Sequence, residues 1–484
     1  MTVGALALGM LPGPAQAATA VVAFSPATSW PSGGTDPIGV ATGDLDGDGR
    51  PDLVVPDYAA GTVAVLANLG GGSFGPARSF AAGSGPEGAA VADFTGDGRA
   101  DVAVADASGT VALLAGDGAG NLVPLGSVSG GGSSTMGLAA GDFNGDGRPD
   151  LAVANYGSGT VGVLLGNGDG TFAAARTYPG GYTASHPLAV VVADMTLDGR
   201  PDLVVTAAGT TGTVRVLTGN GDGTFTPRTV VGTGGAHPSG LAAGDLTGDG
   251  VPDVAVGNVA LSGTVAVLAG DGTGAFSSLA TYPTGGSLPD GAVVADFDRD
   301  GRPDLAVTNA GTDTVAVLTA GPTGLAPALT FGAGGSDPVA LAAADLNGDG
   351  APDLAAANAV SGTVGVLAQQ VAVFDVSFLS PLDGGMLRPG SSTTVRAALL
   401  DLAGARVTDA VAAPLAGTPC RVWFSATGAQ SVAPVCMRYD TTNHQFVAGW
   451  RLGRATGPET LTVTVTYPGS AVTTSRSVAI SIGR

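Results

Sequence analysis

Short apolar runs, each closed by Gly, Asp, Asn or Pro, follow one another from residue 38 to residue 367. In the first stretch, Ile38–Gly43 is a run of mostly small residues. Asp52-Leu-Val-Val55, Thr62-Val-Ala-Val-Leu66 and Phe74-Gly-Pro-Ala-Arg-Ser-Phe80 follow, separated by Tyr58-Ala-Ala-Gly61 and Gly70-Gly-Gly-Ser73. Runs this short, rich in Val and punctuated by glycine turns, predict β-strands. The third run returns as Thr110-Val-Ala-Leu-Leu114, Thr160-Val-Gly-Val-Leu164 and Thr264-Val-Ala-Val-Leu268. The turn after it returns as Asn167-Gly-Asp-Gly-Thr-Phe172 and Asn220-Gly-Asp-Gly-Thr-Phe225, which are hairpin signals. Four antiparallel strands per unit are therefore expected.

Between the first and second strand of every unit lies a loop of one shape, Asp-x-[Asp/Asn/Thr]-x-Asp-Gly-x-x-Asp. It begins at Asp44, Asp93, Asp142, Asp194, Asp245, Asp296 and Asp345, with gaps of 49, 49, 52, 51, 51 and 49 residues. A fixed period of this size marks a repeat architecture with one supersecondary unit per period. Seven four-stranded units predict an all-β, seven-bladed β-propeller. The first strands read Gly88-Ala-Ala-Val-Ala92, Gly137-Leu-Ala-Ala140 and Gly240-Leu-Ala-Ala243, small enough to converge on an axis. The seventh unit stops after Thr363-Val-Gly-Val-Leu367, without a fourth strand. Phe24-Ser-Pro-Ala-Thr-Ser-Trp30 matches Phe74–Phe80, so residues 20–30 are expected to complete the last blade and close the ring. Closure removes the open sheet edge that would invite aggregation.

Composition adds a ligand. Of 40 acidic residues only Glu87 and Glu459 are Glu, and 23 of the 38 Asp sit in the seven loops. At 4 Å a pair of like charges costs about 4 kcal/mol at an effective dielectric of 20, so such loops call for a cation. Hard oxygen donors in a flexible loop favour Ca²⁺ over Zn²⁺ or Mg²⁺. About seven structural Ca²⁺ are expected, which would reduce the formal charge from −21 to −7. An acidic chain with no basic cluster argues against nucleic acid and anionic membranes. All 19 basic residues are Arg; with so much Ala, Gly, Val and Pro, this suits a GC-rich bacterial genome.

On these motifs, residues 20–370 resemble the FG-GAP/VCBS repeats of the seven-bladed propeller in integrin α-subunits and many bacterial surface proteins. The resemblance implies that the Asp loop is a calcium site. In loop one the ligands would be the side chains of Asp44, Asp46, Asp48 and Asp52 and the carbonyl of Arg50. In loop two they would be Asp93, Thr95, Asp97, Arg99 and Asp101. Loop three would use Asp142, Asn144, Asp146, Arg148 and Asp150, and loop four Asp194, Thr196, Asp198, Arg200 and Asp202. Loop five offers Asp245, Thr247, Asp249, Val251 and Asp253. Loop six offers Asp296, Asp298, Asp300, Arg302 and Asp304, and loop seven Asp345, Asn347, Asp349, Ala351 and Asp353. The seventh position varies freely, as expected where only a carbonyl ligates. Asp46 and Asp298 make loops one and six the richest in carboxylates. Loop four, with Thr196 and with Leu197 where most loops have Gly, should bind most weakly.

The opposite face carries Asp57, Asp106, Asn155, Asn258, Asn309 and Asn358 at equivalent positions, with Tyr58, Tyr156, Tyr182, His186 and His237 nearby. The plainer reading of the Asx series is turn capping. The tyrosines would stack on sugar rings or cover blade edges. The two histidines would form a metal pair or stand as ordinary loop residues. For catalysis, only Asp36 and Asp337, in connectors of adjoining blades, offer a carboxylate pair of the kind a glycosidase needs. No Ser-His-Asp or Cys-His arrangement is visible.

At the N-terminus, an apolar run over Val3–Leu11 and small residues at Ala15 and Ala17 read as a secretory signal over 1–17, although residues 1–10 hold no Arg or Lys. No later stretch is long enough to span a membrane. The repeat domain is assigned to 18–370. Residues 371–484 read as seven short strands (371–379, 393–400, 421–425, 435–439, 446–452, 460–467 and 476–482), which suggests an Ig-like sandwich. Cys436–Asp440 and Gln445–Trp450 resemble secreted bacterial Ig-like modules of the PxKF type. Cys420 and Cys436 are expected to pair in an exported protein, with two free thiols the alternative; Trp450 is expected in the core. The sequence therefore describes a secreted, monomeric, calcium-binding propeller that binds extracellular carbohydrate or protein without catalysis. The rival readings are a polysaccharide-acting propeller enzyme and a purely structural surface protein.

Overall fold

Each period folds into one antiparallel sheet. The computed structural model describes residues 22–369, apart from 182–184, 210, 236, 260–262 and 322–323, and beyond them eight strands between 375 and 482. In blade one the strands are Ala41–Gly43, Asp52–Asp57, Thr62–Leu66 and Arg78–Ala81, hydrogen-bonded in that order. Five further blades repeat this meander, and in blade four the outer strand is split, with Phe225–Pro227 and Val231–Gly232 both pairing with the third strand. The outer strand of blade one is shorter than the sequence pattern suggests. Ser73–Phe74 pairs instead with Asn68–Gly70 in a separate small hairpin, and the ladder resumes only at Arg78. Pro76, which has no N–H to give, stands between the two.

The ring closes with the N-terminal segment. Thr28–Pro31 pairs antiparallel with the third strand of the seventh blade, Trp30 opposite Val364 and Pro31 opposite Thr363. Phe24 forms a lone bridge to Gln369, as Phe74 does to Asn68 in blade one. The match between Phe24–Trp30 and Phe74–Phe80 is thus kept residue for residue.

The core lies between blades rather than within them. Every residue of the second strand is buried in all seven blades, because it is covered on both faces. Such strands lose polar–apolar alternation and read as continuous apolar runs. Val54, Val63 and Val65 of blade one interlock with Val102, Val104 and Leu114 of blade two. At the seam, Leu53, Val55 and Leu66 meet Ala355, Val364 and Val366 of blade seven, with Trp30 packed against them. The Trp30 and Phe74 rings meet edge to face at 6.0 Å, so the closing strand is also held by blade one.

Phe24–Gln370 form one compact unit and the strands beyond it another. In the second unit, Asp375–Leu379, Ser392–Leu400, Gln445–Arg451 and Arg438–Asp440 make one four-stranded antiparallel sheet. Val432–Cys436, Val422–Gly428, Gly457–Thr466 and Thr473–Ile482 make another. The single strand expected over 435–439 is two strands, one in each sheet. The Ig-like assignment depends on segments outside the described residues. So do the expected signal peptide, Tyr182, Cys420 and the side chains of Cys436 and Trp450.

Candidate metal loops and the opposite face

The nine-residue loop is shaped by its own carboxylates. In loop one, Asp44 Oδ1 accepts the amides of Gly47 and Asp48 at 2.8 and 3.1 Å, and Asp44 Oδ2 accepts that of Gly49 at 2.9 Å. Asp48 Oδ1 accepts the Arg50 amide at 2.9 Å. The first carboxylate thus draws the loop into a ring around itself before any ion is considered.

The ninth position has a different task. Asp52 is fully buried; its Oδ2 accepts the Leu45 amide at 2.9 Å, and its Oδ1 accepts the Asn68 amide, beyond the third strand, at 2.7 Å. The Oδ1 bond recurs in all seven blades, from Gly116, Gly166, Gly219, Gly270, Ala320 and Gln369 to Asp101, Asp150, Asp202, Asp253, Asp304 and Asp353. A buried amide left without an acceptor is costly, so this aspartate ties the loop to its blade with or without metal. Burial raises Asp52, Asp150, Asp202 and Asp253, and pushes Asp353 to about 6 and Asp304 to about 7.

Three features were missed in the sequence. The second loop residue is always large and apolar (Leu45, Phe94, Phe143, Met195, Leu246, Phe297, Leu346), and each is buried. Most of these anchors join a core cluster shared with the next blade. Their carbonyls accept from that next blade too: Leu45 from Gly120, Phe94 from Gly170, Phe143 from Gly223. The signal was present, since one class of residue stands at that position in all seven loops. Second, the arginines at position seven are not idle. Arg50, Arg99, Arg148 and Arg200 each pair with the position-five aspartate of their own loop, Asp48, Asp97, Asp146 and Asp198. Arg302 makes no such pair with Asp300 among the described residues, and loops five and seven have Val251 and Ala351 instead.

Third, position four adopts a left-handed backbone in every loop. It is Gly in five, and its amide reaches the first aspartate (Gly47, Gly96, Gly145, Gly248 and Gly348 at 2.7–2.8 Å). In loops four and six it is Leu197 at φ 55° and Arg299 at φ 59°, and neither amide forms that bond. Both loops therefore carry backbone strain. Leu197 stood out in the sequence; Arg299 did not.

The remaining donors fit a hard cation. Asp44, Asp46 and Asp48 bring three carboxylate oxygens within 4.8 Å of one another, and so do Asp296, Asp298 and Asp304. Desolvation, then the charge of Asp48, raises Asp46; burial pushes Asp298 to about 6, with Asp300 and Asp296 adding repulsion. Where position three is Thr, the Thr95 and Thr196 hydroxyl oxygens are buried without a hydrogen bond of ordinary geometry, although they lie near the carboxylates of Asp97 and Asp198. Orphaned oxygens at the position expected to ligate are what a cation would satisfy.

On the opposite face the Asx series is structural. Asp57, Asp106, Asn155, Asn258, Asn309 and Asn358 are all buried. Five of them grip the connector that enters their own blade: Asp57 accepts from Ser32 at 3.1 Å, Asn258 from Thr233 at 2.9 Å and Asn309 from Thr284 at 2.6 Å, while Asn155 and Asn358 donate to Gly130 and Ala333. Asp106 accepts instead from Ser108 and Thr110 in its own turn. Tyr156 and His186 stack with ring centroids 4.6 Å apart, and His186 Nδ1 lies 2.9 Å from the Tyr156 carbonyl. Tyr58 is exposed. His237 adopts φ 51° and its carbonyl accepts from Val259. Among the described residues no potential metal group includes either histidine. Asp36 and Asp337 do lie close enough to interact: burial first, then Asp313 and Asp36, raise Asp337.

FG-GAP-like repeats match at residues 44–104, 93–153, 142–205, 194–256, 258–307 and 296–356, and the chain belongs to that family. Five of the six matches begin on the first aspartate of a loop. No curated protein sequence matches the chain. Two crystal structures of BBS1N in complex with ARL6DN, soaked with lead and with mercury, share the fold at TM-score 0.50. They are 17% and 16% identical and cover 71% of this chain and 96% of theirs. The Pan2 WD40 domain of Neurospora crassa superposes at TM-score 0.47 with 13% identity, over 69% of this chain and 89% of that one. No helix among the described residues is long and apolar enough to cross a membrane.

Proposed function

We propose that this chain is an exported, calcium-loaded propeller that serves as a non-catalytic binding module for extracellular carbohydrate or protein. The observation that carries the reading is the loop itself. Seven copies place a carboxylate at positions one, five and nine around a preformed ring of amides, and two copies already gather three carboxylate oxygens within 4.8 Å. Ca²⁺ would be held by positions one, three, five and nine and by the carbonyl at position seven. It would supply charge compensation and rigidity to one face of the disc. The surface left for a partner is then large and stiff, which favours affinity because little ordering is needed on binding. The likeness to BBS1N, itself seen in complex with ARL6DN, supports a protein partner. We assign residues 1–17 to a leader, 18–370 to the propeller and 371–484 to an Ig-like module.

Calorimetric titration of chelator-treated protein with CaCl₂ tests the reading. About seven sites are expected, with loop four the weakest; two sites or fewer per chain would end the seven-loop argument. A glycan array and a proximity-labelling screen on calcium-loaded protein would then decide between carbohydrate and protein.

A further inference from the structure

The first strands of the seven blades do not close over the axis. They leave a channel of about 350 Å³. Its lining is organised by one position, the residue that follows Pro37, Pro86, Thr135, Pro187, Pro238, Pro289 or Pro338. Four of the seven are apolar: Ile38, Met136, Leu188 and Val339. The other three are Glu87, Ser239 and Asp290. In six blades the register of the first strand slips at this point, between Pro86 and Ala89, Thr135 and Leu138, Pro187 and Ala189, Pro238 and Leu241, Pro289 and Ala292, and Pro338 and Ala340. A bulge of this kind re-aims a side chain, and here it turns the position towards the axis. The following residue is packed against the neighbouring blade: a Cβ at Gly240 would collide with the Asp290 carbonyl, and one at Gly88 with that of Met136. The ring of seven is therefore rigid, each member seated on the next.

Glu87 belongs to blade two and Asp290 to blade six. In a ring of seven these are three steps apart by the shorter way, so the carboxylates enter the channel from nearly opposite sides. Neither is a loop aspartate, and Glu87 is the one Glu of the repeat region. No basic residue lines the cavity among the described residues, so the two charges have no internal counter-ion. The Ser239 hydroxyl lies near Asp290, yet its oxygen is buried without a hydrogen bond of ordinary geometry. Burial pushes the Glu87 carboxyl up to about 7; burial first, then the charge of Asp337, raises Asp290 to about 6. Two carboxylates on different blades of a small channel, whose wall is about half polar and half apolar, are complementary to a cation that carries its own apolar body.

We infer that the axial channel is a binding site for a small alkyl-ammonium ligand, and for a linear diamine in particular, whose ends pair with Glu87 and Asp290 while its methylenes lie against Ile38, Met136, Leu188 and Val339. A bare divalent cation fits less well, since Ca²⁺ takes six to eight oxygens and four of the seven ring side chains are hydrocarbon. The volume falls at the lower end of the range for small-molecule sites.

The test is calorimetry on the full chain in saturating calcium, with cadaverine as probe and glutarate as its anionic counterpart. Cadaverine is expected to bind one to one, and glutarate not at all. Glu87→Gln and Asp290→Asn should each weaken cadaverine roughly tenfold, as the loss of one charge-assisted hydrogen bond implies. The double variant should show no binding while its melting temperature is retained. Ser239→Lys, which tethers an ammonium beside Asp290, should block the probe without removing either carboxylate. Asp298→Asn in loop six should leave cadaverine binding unchanged, which separates the channel from the metal loops. No heat with the wild-type chain would overturn the proposal. So would full-strength binding to the double variant, equal binding of glutarate, or displacement of cadaverine by further calcium.

Discussion

The main-chain amide of Asn68 donates to Asp52 Oδ1 at 2.7 Å, joining the last position of an aspartate loop to the residue just past the third strand of the same blade. Because both carboxylate oxygens of Asp52 are used by backbone amides, this aspartate holds the blade together even when no ion is present.

That relationship separates two classes of loop mutation. Asp150→Ala should destabilise by about 2–4 kcal/mol, because two buried amides lose their acceptor. The loss should persist in chelator. Asp142→Ala, half-buried at the start of the same loop, should cost most in calcium and less without it. Urea titrations of both variants, each with and without calcium, provide the comparison. Equal calcium dependence in the two would remove the distinction.

Position four gives a second test. Leu197→Gly and Arg299→Gly should each stabilise the fold by about 1 kcal/mol, since a left-handed backbone is strained for any side chain but suits glycine. Both should also tighten calcium in their own loops, because the recovered amide bond to Asp194 or Asp296 fixes the first ligand. Thermal denaturation and calcium titration of the two variants read this directly. Lower melting temperatures would show that the side chains contribute more than the backbone loses.

The blades, their number and the closure of the ring were all legible in the chain, because each depends on periodicity. One loop every 49–52 residues sets the blade count, and Phe24–Trp30 repeats the spacing of Phe74–Phe80. What could not be read depends on which atoms meet in three dimensions. The anchoring of Phe94 and Phe143 to the next blade is an inter-repeat contact, invisible to an analysis of one repeat at a time. The pairing of Arg99 with Asp97 at 2.5 Å looked dispensable because Val and Ala replace arginine elsewhere. The Asx series looked like turn capping, which is half of its role: the same side chains reach back 25 residues to bind the incoming connector. The axial channel was hidden for a related reason. Small first-strand residues indicated only that the strands converge on an axis; the bulge that six of them share was not legible.

Closure of the ring by Thr28–Pro31 should be essential to solubility. Removing residues 18–33 would expose the third strand of blade seven and strip Trp30 from Phe74. The expected outcome is aggregation or a melting temperature lower by several degrees. Trp30→Ala, which keeps the strand, should cost about 2–3 kcal/mol from lost packing. Light scattering with a melting curve decides the matter, and a monomeric deletion variant with an unchanged curve would detach the N-terminal strand from the fold.

Calcium and protons should act in opposite directions, and the pKa shifts give the sign. Asp298, Asp304 and Asp353 have carboxyls pushed to about 6, 7 and 6 from an ordinary 3.8, chiefly by burial. A carboxyl raised in the folded state binds more protons folded than unfolded between those values. Its stabilising contribution is complete below the unfolded pKa and is lost as pH rises through the folded one. Metal-free protein should therefore become more stable as pH falls from about 7.5 to about 5, because protonation relieves the desolvated charge. Calcium-loaded protein should do the reverse, since ligating carboxylates must be ionised and acid releases the ion. The two melting curves should lie far apart near neutrality and converge on acidification. At about 1 mM Ca²⁺ and a Kd of about 0.1 mM, each site adds roughly 1.4 kcal/mol, so several sites shift the transition strongly. Calorimetric scans at a series of pH values, with calcium and with chelator, make the measurement. Parallel curves at every pH would mean that the loops take no calcium through these carboxylates.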